Sequence, residues 1–184
     1  SLFCSCVMEL CSHTYLQLLK SVHNAHVTGF GNKKKKIKEF EACIKKWRPR
    51  SILDYGCGKG ALLQMLREKY PHIHCLGYDP AVKIYDQLPQ QKFDVVFSND
   101  VLEHVEPLYL DSVLQFIEQQ SKKYAWLRID TQPATKILSD GRNAHLIIED
   151  EAWWRERIEF AMNMKIVNMY TNKKQRIDVE LMHG

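Results

Sequence analysis

The residues best suited to chemistry lie in a short glycine-rich stretch, Asp54-Tyr-Gly-Cys-Gly-Lys-Gly60. The stretch begins at the end of a short strand-like segment and leads into a helical pattern, so we predict a strand, a tight turn and a helix. Gly56, Gly58 and Gly60 allow the backbone to turn sharply and to approach a ligand closely. The stretch therefore predicts a ligand-binding turn at the end of a strand.

Asp54, two residues before the first glycine, helps to choose between two classes of ligand. Gly56, Gly58 and Ala61 also satisfy the GxGxxA form of the dinucleotide fingerprint, which indicates a nicotinamide-dependent oxidoreductase. A carboxylate at the strand end would repel a pyrophosphate, because a pyrophosphate binds to the amides of a helix N-terminus. It would attract the ammonium group of a methionine moiety, directly or through water. We therefore favour a ligand with an amino-acid tail; the alternative is a carboxylate that only caps the helix.

A second acidic residue, Asp79, ends the next predicted strand. It lies 23 residues after Gly56, which is close to the spacing at which an acidic residue binds the ribose in nucleoside-binding units. An aspartate before a proline also commonly starts a turn. In combination with Asp54 and the glycines, we expect Asp79 to accept hydrogen bonds from the ribose hydroxyls of an adenosine.

Two groups of residues that follow later strands are candidates for catalysis. In the first group, His104 can act as a base because imidazole titrates near neutrality, although we favour a positioning role for Glu103 and His104. In the second group, His145 can remove a proton from a substrate, and Asp140 or Asp130 can orient the ring of His145. The alternative for the second group is a long loop held by its own hydrogen bonds.

The same polar loop and the helix after it offer groups that can bind a substrate. Arg142 is suited to bind an anionic group bidentately. Trp153 and Trp154 open the next helix, and we expect one to pack in the core and the other to wall the acceptor pocket. The predicted substrate contacts are Asp130, Arg142, Asn143 and Trp153.

The rest of the pattern indicates the elements that position these residues. Short apolar segments predict strands at residues 51–55, 73–78, 93–98, 124–129, 166–170 and 176–181, with residues 121–123 in a loop. Helical spacing predicts helices at residues 7–26 and 32–47, from the glycine turn to about residue 70, and at residues 108–119 and 151–162.

The order of these elements predicts an α/β fold. Strands that alternate with helices indicate a Rossmann-like, mostly parallel sheet with helices on both faces. The last two strands are too close for a helical crossover, so we expect a C-terminal antiparallel hairpin. Residues 80–92 are too few to hold a helix and a strand with their connections, so the usual edge strand after the second strand is shortened or absent. We divide this single domain into an N-terminal helical cap segment, residues 1–48, and a core, residues 49–184.

Length and composition limit the class of protein. A chain of 184 residues with 45% hydrophobic and 26% charged residues is ordinary for one globular domain. No apolar run is long enough to span a bilayer, and the six cysteines suit free thiols in a reducing cytoplasm, so we expect a cytoplasmic protein. The group nearest to a metal site comprises Cys4, Cys6, Cys11 and His13. It lacks the paired spacing of zinc ligands, so we expect no metal.

Three blocks of the sequence resemble the successive motifs of class I S-adenosylmethionine-dependent methyltransferases. They are Asp54-Tyr-Gly-Cys-Gly-Lys-Gly60, Gly77-Tyr-Asp-Pro80 and Phe93-Asp-Val-Val-Phe-Ser-Asn-Asp-Val-Leu-Glu-His-Val105. The third block is the most specific, and the resemblance extends over roughly residues 20 to 182. The most similar members are compact, mostly uncharacterised bacterial and phage-type methyltransferases.

The resemblance implies that S-adenosylmethionine lies across the carboxyl ends of the strands. Asn99 and Asp100 would line the methionine side, and Asp86 falls where an adenine loop belongs. The cofactor-binding residues that it implies are Asp54, Gly56, Gly58, Gly60, Asp79, Asp86, Asn99 and Asp100.

Several functions remain open at this point. The leading interpretation is methyl transfer to an oxygen or nitrogen nucleophile of a small molecule or sugar. The net charge of +4 and the lysines at 33–36 and 38 leave RNA as an alternative acceptor, although such a run is more often the solvated face of a helix. A further alternative is a non-catalytic, cofactor-binding partner subunit. The choice of His104 or His145 as base and the oligomeric state stay open.

Overall fold

The structure is a computed structural model that describes residues 9–25 and 38–184. Its six strands form one sheet in the order β2-β1-β3-β4-β6-β5. The strands are Ser51–Tyr55 (β1), His74–Tyr78 (β2), Phe93–Asn99 (β3), Ser121–Asp130 (β4), Lys165–Thr171 (β5) and Arg176–Met182 (β6). The first four are parallel, and β6 pairs antiparallel with both β4 and β5. The predicted Rossmann-like sheet with its terminal hairpin is thus confirmed.

Helices cover both faces of the sheet, because its central strands are buried on both sides. The α-helices of the described residues are His13–Ala25 (α1), Lys38–Trp47 (α2), Ala61–Lys69 (α3), Leu110–Gln120 (α4) and Glu151–Ala161 (α5). Ile52 of β1 packs in a cluster with α2 and α3, whereas its neighbour Leu53 packs with α4 and α5 on the other face. This alternation is what a period of two along a buried strand requires. None of the described helices is long and apolar enough to cross a membrane.

The edge of the sheet beyond β2 is short, as predicted. Residues 79–92 contain only turns and bends between β2 and β3. The backbone of Asp79 donates to the carbonyl of Tyr85 at 2.9 Å, and Tyr85 donates to the carbonyl of Val82 at 2.7 Å. Tight turns therefore replace the helix and strand, and β2 is the edge strand.

Two predicted boundaries were wrong. The strand β4 begins at Ser121, and residues 121–123 are part of it because Ser121 pairs with Phe93 before an irregularity in register. The first helix begins at His13 and not at residue 7, at least over the described residues 9–12. The Ser12 hydroxyl accepts from the backbone of Tyr15 at 3.2 Å, so Ser12 caps the helix.

Some predictions fall partly outside the described residues. The second helix was predicted from residue 32, and the structure describes it only from Lys38 onward. Cys11, Cys43, Cys57 and Cys75 are free thiols, as predicted, whereas Cys4 and Cys6 lie outside the described residues. The division at residue 48 stays a prediction.

Candidate active site

A cleft lies at the carboxyl ends of β1, β2 and β3, under α1. Its cavity volume is about 100 Å³, which is below the roughly 300 to 1,000 Å³ that is usual for small-molecule sites. The segments that follow β1, β2 and β3 contribute Gly56, Asp79, Asp100 and His104 to its walls, and α1 contributes Tyr15, Leu19 and His23. Five predicted cofactor residues are not among the described residues that line it: Asp54, Gly58, Gly60, Asp86 and Asn99.

The glycine turn has a backbone that other residues adopt only with strain. Gly56 has φ +75° and Gly58 has φ +53°, in the left-handed region that favours glycine. A Cβ atom at Gly56 would lie 2.5 Å from Cγ2 of Val101. The Gly56 amide donates to the carbonyl of Tyr78 at 2.8 Å, which joins the turn to the end of β2. The turn therefore brings bare backbone to the edge of the cleft.

Asp54, the penultimate residue of β1, is a buried carboxylate that is only 3% exposed. Its Oδ2 has no hydrogen-bond partner among the described residues. Burial, and then the nearby Asp79 carboxylate, raise its pKa to about 7. A buried anionic oxygen without a partner is costly, so this position suits a cationic ligand group that is bound directly or through water. The chemistry of this position fits the ammonium group of S-adenosylmethionine.

Asp79 ties the glycine turn to the end of β2. Its Oδ2 accepts from the amide of Gly58 at 2.9 Å, and its Oδ1 accepts from the amide of Ala81 at 3.0 Å. Burial raises the pKa of this carboxyl group. Each carboxylate oxygen can accept a second hydrogen bond, so the residue still fits the ribose hydroxyls while it holds the turn.

Asn99 ends β3 and Asp100 follows it, at the carboxyl ends of the parallel strands. Asp100 has φ +53°, a left-handed conformation that aspartate tolerates better than most residues. The Asn99 amide nitrogen donates to Asp100 Oδ2 at 3.4 Å, and Arg176 approaches the same oxygen at 3.6 Å. Both side chains are half-buried, and Asp100 lines the cleft. The methionine-side role of the two residues stays a prediction.

The structure brings His104 and His145 together. Their ring centroids lie 4.7 Å apart at an interplanar angle of 81°. Nδ1 of His104 contacts the carbonyl of Ala144 at 2.6 Å, and Nδ1 of His145 contacts the carbonyl of Gln132 at 2.5 Å. Because a carbonyl only accepts, each Nδ1 carries the proton. The lone pair is then on Nε2 of both rings.

The pKa of the deeper histidine favours a neutral ring. Burial, and then the nearby His145, lower the pKa of His104 to about 4. A neutral imidazole with so low a pKa takes up a proton poorly at neutral pH. His104 therefore suits a positioning role, whereas His145 is the more exposed end of the pair.

Glu103 is fully buried beneath the histidine pair. Its backbone carbonyl accepts from the amides of Leu146 and Ile147 at 2.7 and 3.1 Å, so it anchors the loop that carries His145. Its Oε1 accepts from the amide of Asp130 at 3.2 Å. Burial, and then Asp100, raise the pKa of Glu103 well above its usual range.

In the fully described polar loop after β4, no carboxylate orients the ring of His145, contrary to the prediction. The carbonyl of Gln132, and not a carboxylate of Asp140 or Asp130, holds Nδ1 of His145. Asp140 instead pairs with Arg142, whose Nε and Nη2 lie 2.8 and 2.7 Å from Asp140 Oδ2. The Gln132 carbonyl is the acceptor for Nδ1 because the turn at Gly141 places Asp140 beside Arg142.

The other predicted substrate residues have partners within the protein. Arg142 also stacks over the ring of Tyr15, with 5.3 Å from Cζ to the centroid. The Asn143 amide bonds to both backbone groups of Ala134, at 3.0 and 2.9 Å, and so holds the loop closed. Asp130 pairs with Arg176 at 3.2 Å. Their substrate contacts stay predictions.

One of the two tryptophans packs in the core, as predicted. Trp154 is fully buried in the core. Trp153 is half-buried against the same cluster, with its ring edge-on to Trp154 at 5.2 Å. Its place beside the acceptor stays a prediction.

Sequence analysis missed the part that α1 plays. The Tyr15 hydroxyl donates to the carbonyl of His104 at 2.7 Å, and both the amide and the hydroxyl of Ser12 donate to Glu106 at 2.8 Å. His23 is 8% exposed, and burial lowers its pKa while the nearby Asp79 opposes the shift. The helical spacing predicted a helix, but no local signal placed it over the cleft.

A mostly parallel sheet with a closing antiparallel hairpin, a glycine turn after its first strand and an acid after its second defines a class of protein. It is the architecture of the class I S-adenosylmethionine-dependent methyltransferases. Residues 30–174 match a family described as a methyltransferase domain, and the chain belongs to that family. It is therefore an enzyme whose cofactor is S-adenosylmethionine. No curated protein matches the sequence.

Solved structures share this fold at low identity. Magnesium protoporphyrin IX methyltransferase from Synechocystis superposes with a TM-score of 0.60 at 14% identity, over 94% of this chain and 95% of that one. A 1,6-didemethyltoxoflavin N1-methyltransferase from Burkholderia thailandensis gives 0.62 at 13%, over 95% and 91%. An O-methyltransferase family protein from the same organism gives 0.60 at 11%, over 92% of this chain but only 57% of that chain.

Proposed function

We propose that this methyltransferase acts on an oxygen or nitrogen nucleophile of a small molecule or sugar. The observation that carries the proposal is the His104–His145 pair, which stands beside the cofactor cleft at the carboxyl edge of the sheet. Structures of similar fold include an O-methyltransferase family protein and an N1-methyltransferase of a small heterocycle. Those similarities support either nucleophile.

The residues assigned to the cofactor divide between its two ends. We assign its ammonium group to Asp54 and its ribose to Asp79, while Gly56 and Gly58 supply close-lying backbone. Asn99 and Asp100 take the methionine side, and Gly60 and Asp86 remain the least supported assignments. When bound, S-adenosylmethionine supplies a methyl group activated by the positive charge of its sulfur.

The chain has to align the acceptor and handle the proton that its nucleophile loses. We assign activation of the acceptor to His145, whose Nε2 carries a lone pair and whose ring is fixed through Nδ1. We assign positioning to His104, because its lowered pKa keeps it neutral. Asp140 is not retained as a catalytic residue, since Arg142 occupies its carboxylate.

The test is His145→Ala, with His72→Ala as the matched control on an exposed residue just before β2. With a panel of small hydroxyl and amine acceptors, we expect kcat to fall by about 10² to 10⁴. Affinity for S-adenosylhomocysteine, measured by calorimetry, should stay near the wild-type value. Equal losses of affinity and turnover would indicate a structural role for His145 and would remove the basis of the proposal.

Of the lysine run behind the RNA alternative, the structure describes only Lys38, which is exposed at the start of α2. The alternative depended mainly on Lys33–Lys36, which lie outside the described residues. RNA binding that weakens steeply with salt would favour it.

A further inference from the structure

We infer that Glu103, His104 and His145 form a site for a divalent transition-metal ion beside the cofactor cleft. One potential ligand atom from each residue lies within 4.8 Å of the other two. Ligand atoms on a shared ion at about 2.1 Å lie at most about 4.2 Å apart, so small side-chain rotations close the site. Two imidazoles and one carboxylate form a ligand set that binds zinc and non-haem iron in enzymes.

The strongest observation is the unpaired oxygen of Glu103. The side chain is fully buried, and its Oε1 accepts one bond from the amide of Asp130. Its Oε2 has no hydrogen-bond partner among the described residues. Buried carboxylate oxygens rarely lack a partner, because the desolvation cost is then not offset. A cation between Glu103 and the histidines supplies that partner.

Both histidines have the orientation that metal ligands need. A ligand histidine characteristically donates its second ring nitrogen to a carbonyl or carboxylate, which fixes the ring and its tautomer. Nδ1 of His104 is held by Ala144, and Nδ1 of His145 is held by Gln132. The same pattern occurs on two rings that lie 4.7 Å apart, so Nε2 is the nitrogen of each ring that would bind the ion.

The charges around the cluster also favour a cation. Asp100 and Asp130 stand with Glu103 at the carboxyl edge of β3 and β4. The basic group that pairs with the first two is Arg176, at 3.6 and 3.2 Å. Two of these carboxylates share one guanidinium, and a divalent ion beside the buried Glu103 would favour its ionised form.

The ion would give the histidine pair a specific role, and this step rests on the proposed function. Three protein ligands leave at least one coordination position for an exogenous group, and His104 lines the cofactor cleft. An acceptor hydroxyl bound there would have a lowered pKa. His145 would then activate the acceptor through the ion instead of taking up its proton.

The probe is Co²⁺ added to the metal-free protein and followed by visible absorption. We expect one Co²⁺ per chain with d–d bands typical of nitrogen and oxygen ligands. Sulfur ligation through a cysteine would instead add a charge-transfer band in the near ultraviolet. His145→Gln and Glu103→Gln should each weaken binding by more than the 10- to 100-fold that loss of an outer partner costs, whereas the control His72→Gln should bind normally.

His145→Gln decides the outcome if Glu103→Gln does not fold, because His145 is only half-buried on a loop. Binding through sulfur alone, no saturable binding, or wild-type affinity in His145→Gln would each overturn the inference. Calorimetry with S-adenosylhomocysteine on the same samples separates the two proposals. Cofactor binding without Co²⁺ binding would sink the metal site and leave the methyltransferase assignment intact.

Discussion

The two halves of the site are built in different ways. In the proposed cofactor half, around the ends of β1 and β2, the assigned groups come from the glycine turn, Asp54 and Asp79, and backbone amides of the turn bond to the end of β2. In the acceptor half, around the ends of β3 and β4, His104 and His145 are separated by 41 residues. They meet because the amides that follow His145 bond to the carbonyl of Glu103, next to His104. The cofactor half is thus specified locally, and the acceptor half by tertiary structure.

We expect the two halves to differ most in how strongly an alanine in place of a glycine destabilises the protein. Gly56→Ala places a Cβ 2.5 Å from Val101 in a backbone with φ +75°, so we expect a loss of about 3 kcal/mol in the free energy of unfolding. Cofactor binding should be lost with it. The control is Gly141→Ala in the acceptor loop, where φ is +86° and no atom lies within 4 Å.

Gly141→Ala has only the backbone strain, so it should cost about 1 to 2 kcal/mol and leave affinity for S-adenosylhomocysteine unchanged. Urea unfolding and calorimetry on both variants check this. Equal destabilisation by the two substitutions would mean that the contact with Val101 relaxes freely and that the turn is less constrained than its geometry indicates.

A smaller effect is expected at Asp79. Asp79→Ala removes the acceptor for the Gly58 amide and the proposed ribose contact, so affinity for S-adenosylhomocysteine should fall by about 10- to 100-fold. Asp94→Ala is the control, because Asp94 accepts from the amide of Arg50 at the opposite edge of the sheet. An unchanged affinity in Asp79→Ala would contradict the ribose assignment.

The smallest effect is a pH dependence from Asp54. Its pKa in the folded protein without ligand is about 7, so the carboxyl group is neutral below that pH and anionic above it. An anion attracts the ligand's ammonium group, so affinity for S-adenosylhomocysteine should rise by up to about tenfold between pH 6 and pH 8. Asp54→Asn should flatten this profile.

The same pKa has an opposite consequence for stability without ligand. Because the folded-state pKa of Asp54 lies above the unfolded value, its contribution is most favourable below about pH 4 and is lost as pH rises toward 7. Chemical denaturation of wild type and Asp54→Asn across this range measures the difference. A difference that is constant with pH would contradict the buried, raised carboxyl group.

The sequence predicted the sheet better than the contacts of the acceptor half for a physical reason. Strand and helix periods gave the sheet, the hairpin and the short edge beyond β2, since burial on two faces imposes regular patterns. The predicted start of β4, at residue 124, is later than the observed start at Ser121, because Lys122 and Lys123 are exposed. A carboxylate was expected to orient His145, yet the backbone carbonyl of Gln132 does so. Every residue has a backbone carbonyl, so residue type cannot indicate this contact.

The position of α1 could not be predicted from local sequence patterns either. Its apolar face is visible in the sequence, but its partners Leu138 and Ala144 lie more than 100 residues away. The unpaired Glu103 could not be predicted either, because only the fold determines which of its oxygens finds a donor. Sequence patterns thus predict which residues are buried and not what they meet there.

The fastening of α1 has a consequence for the order of events in a turnover. Tyr15 on this helix is bonded to the backbone of His104, and Ser12 at its start is bonded to Glu106 two residues further on. Any outward swing of α1 must break these bonds or drag His104 along. Exchange of spent cofactor beneath α1 would therefore loosen the acceptor side in the same movement, and realignment of the histidines would have to await its return.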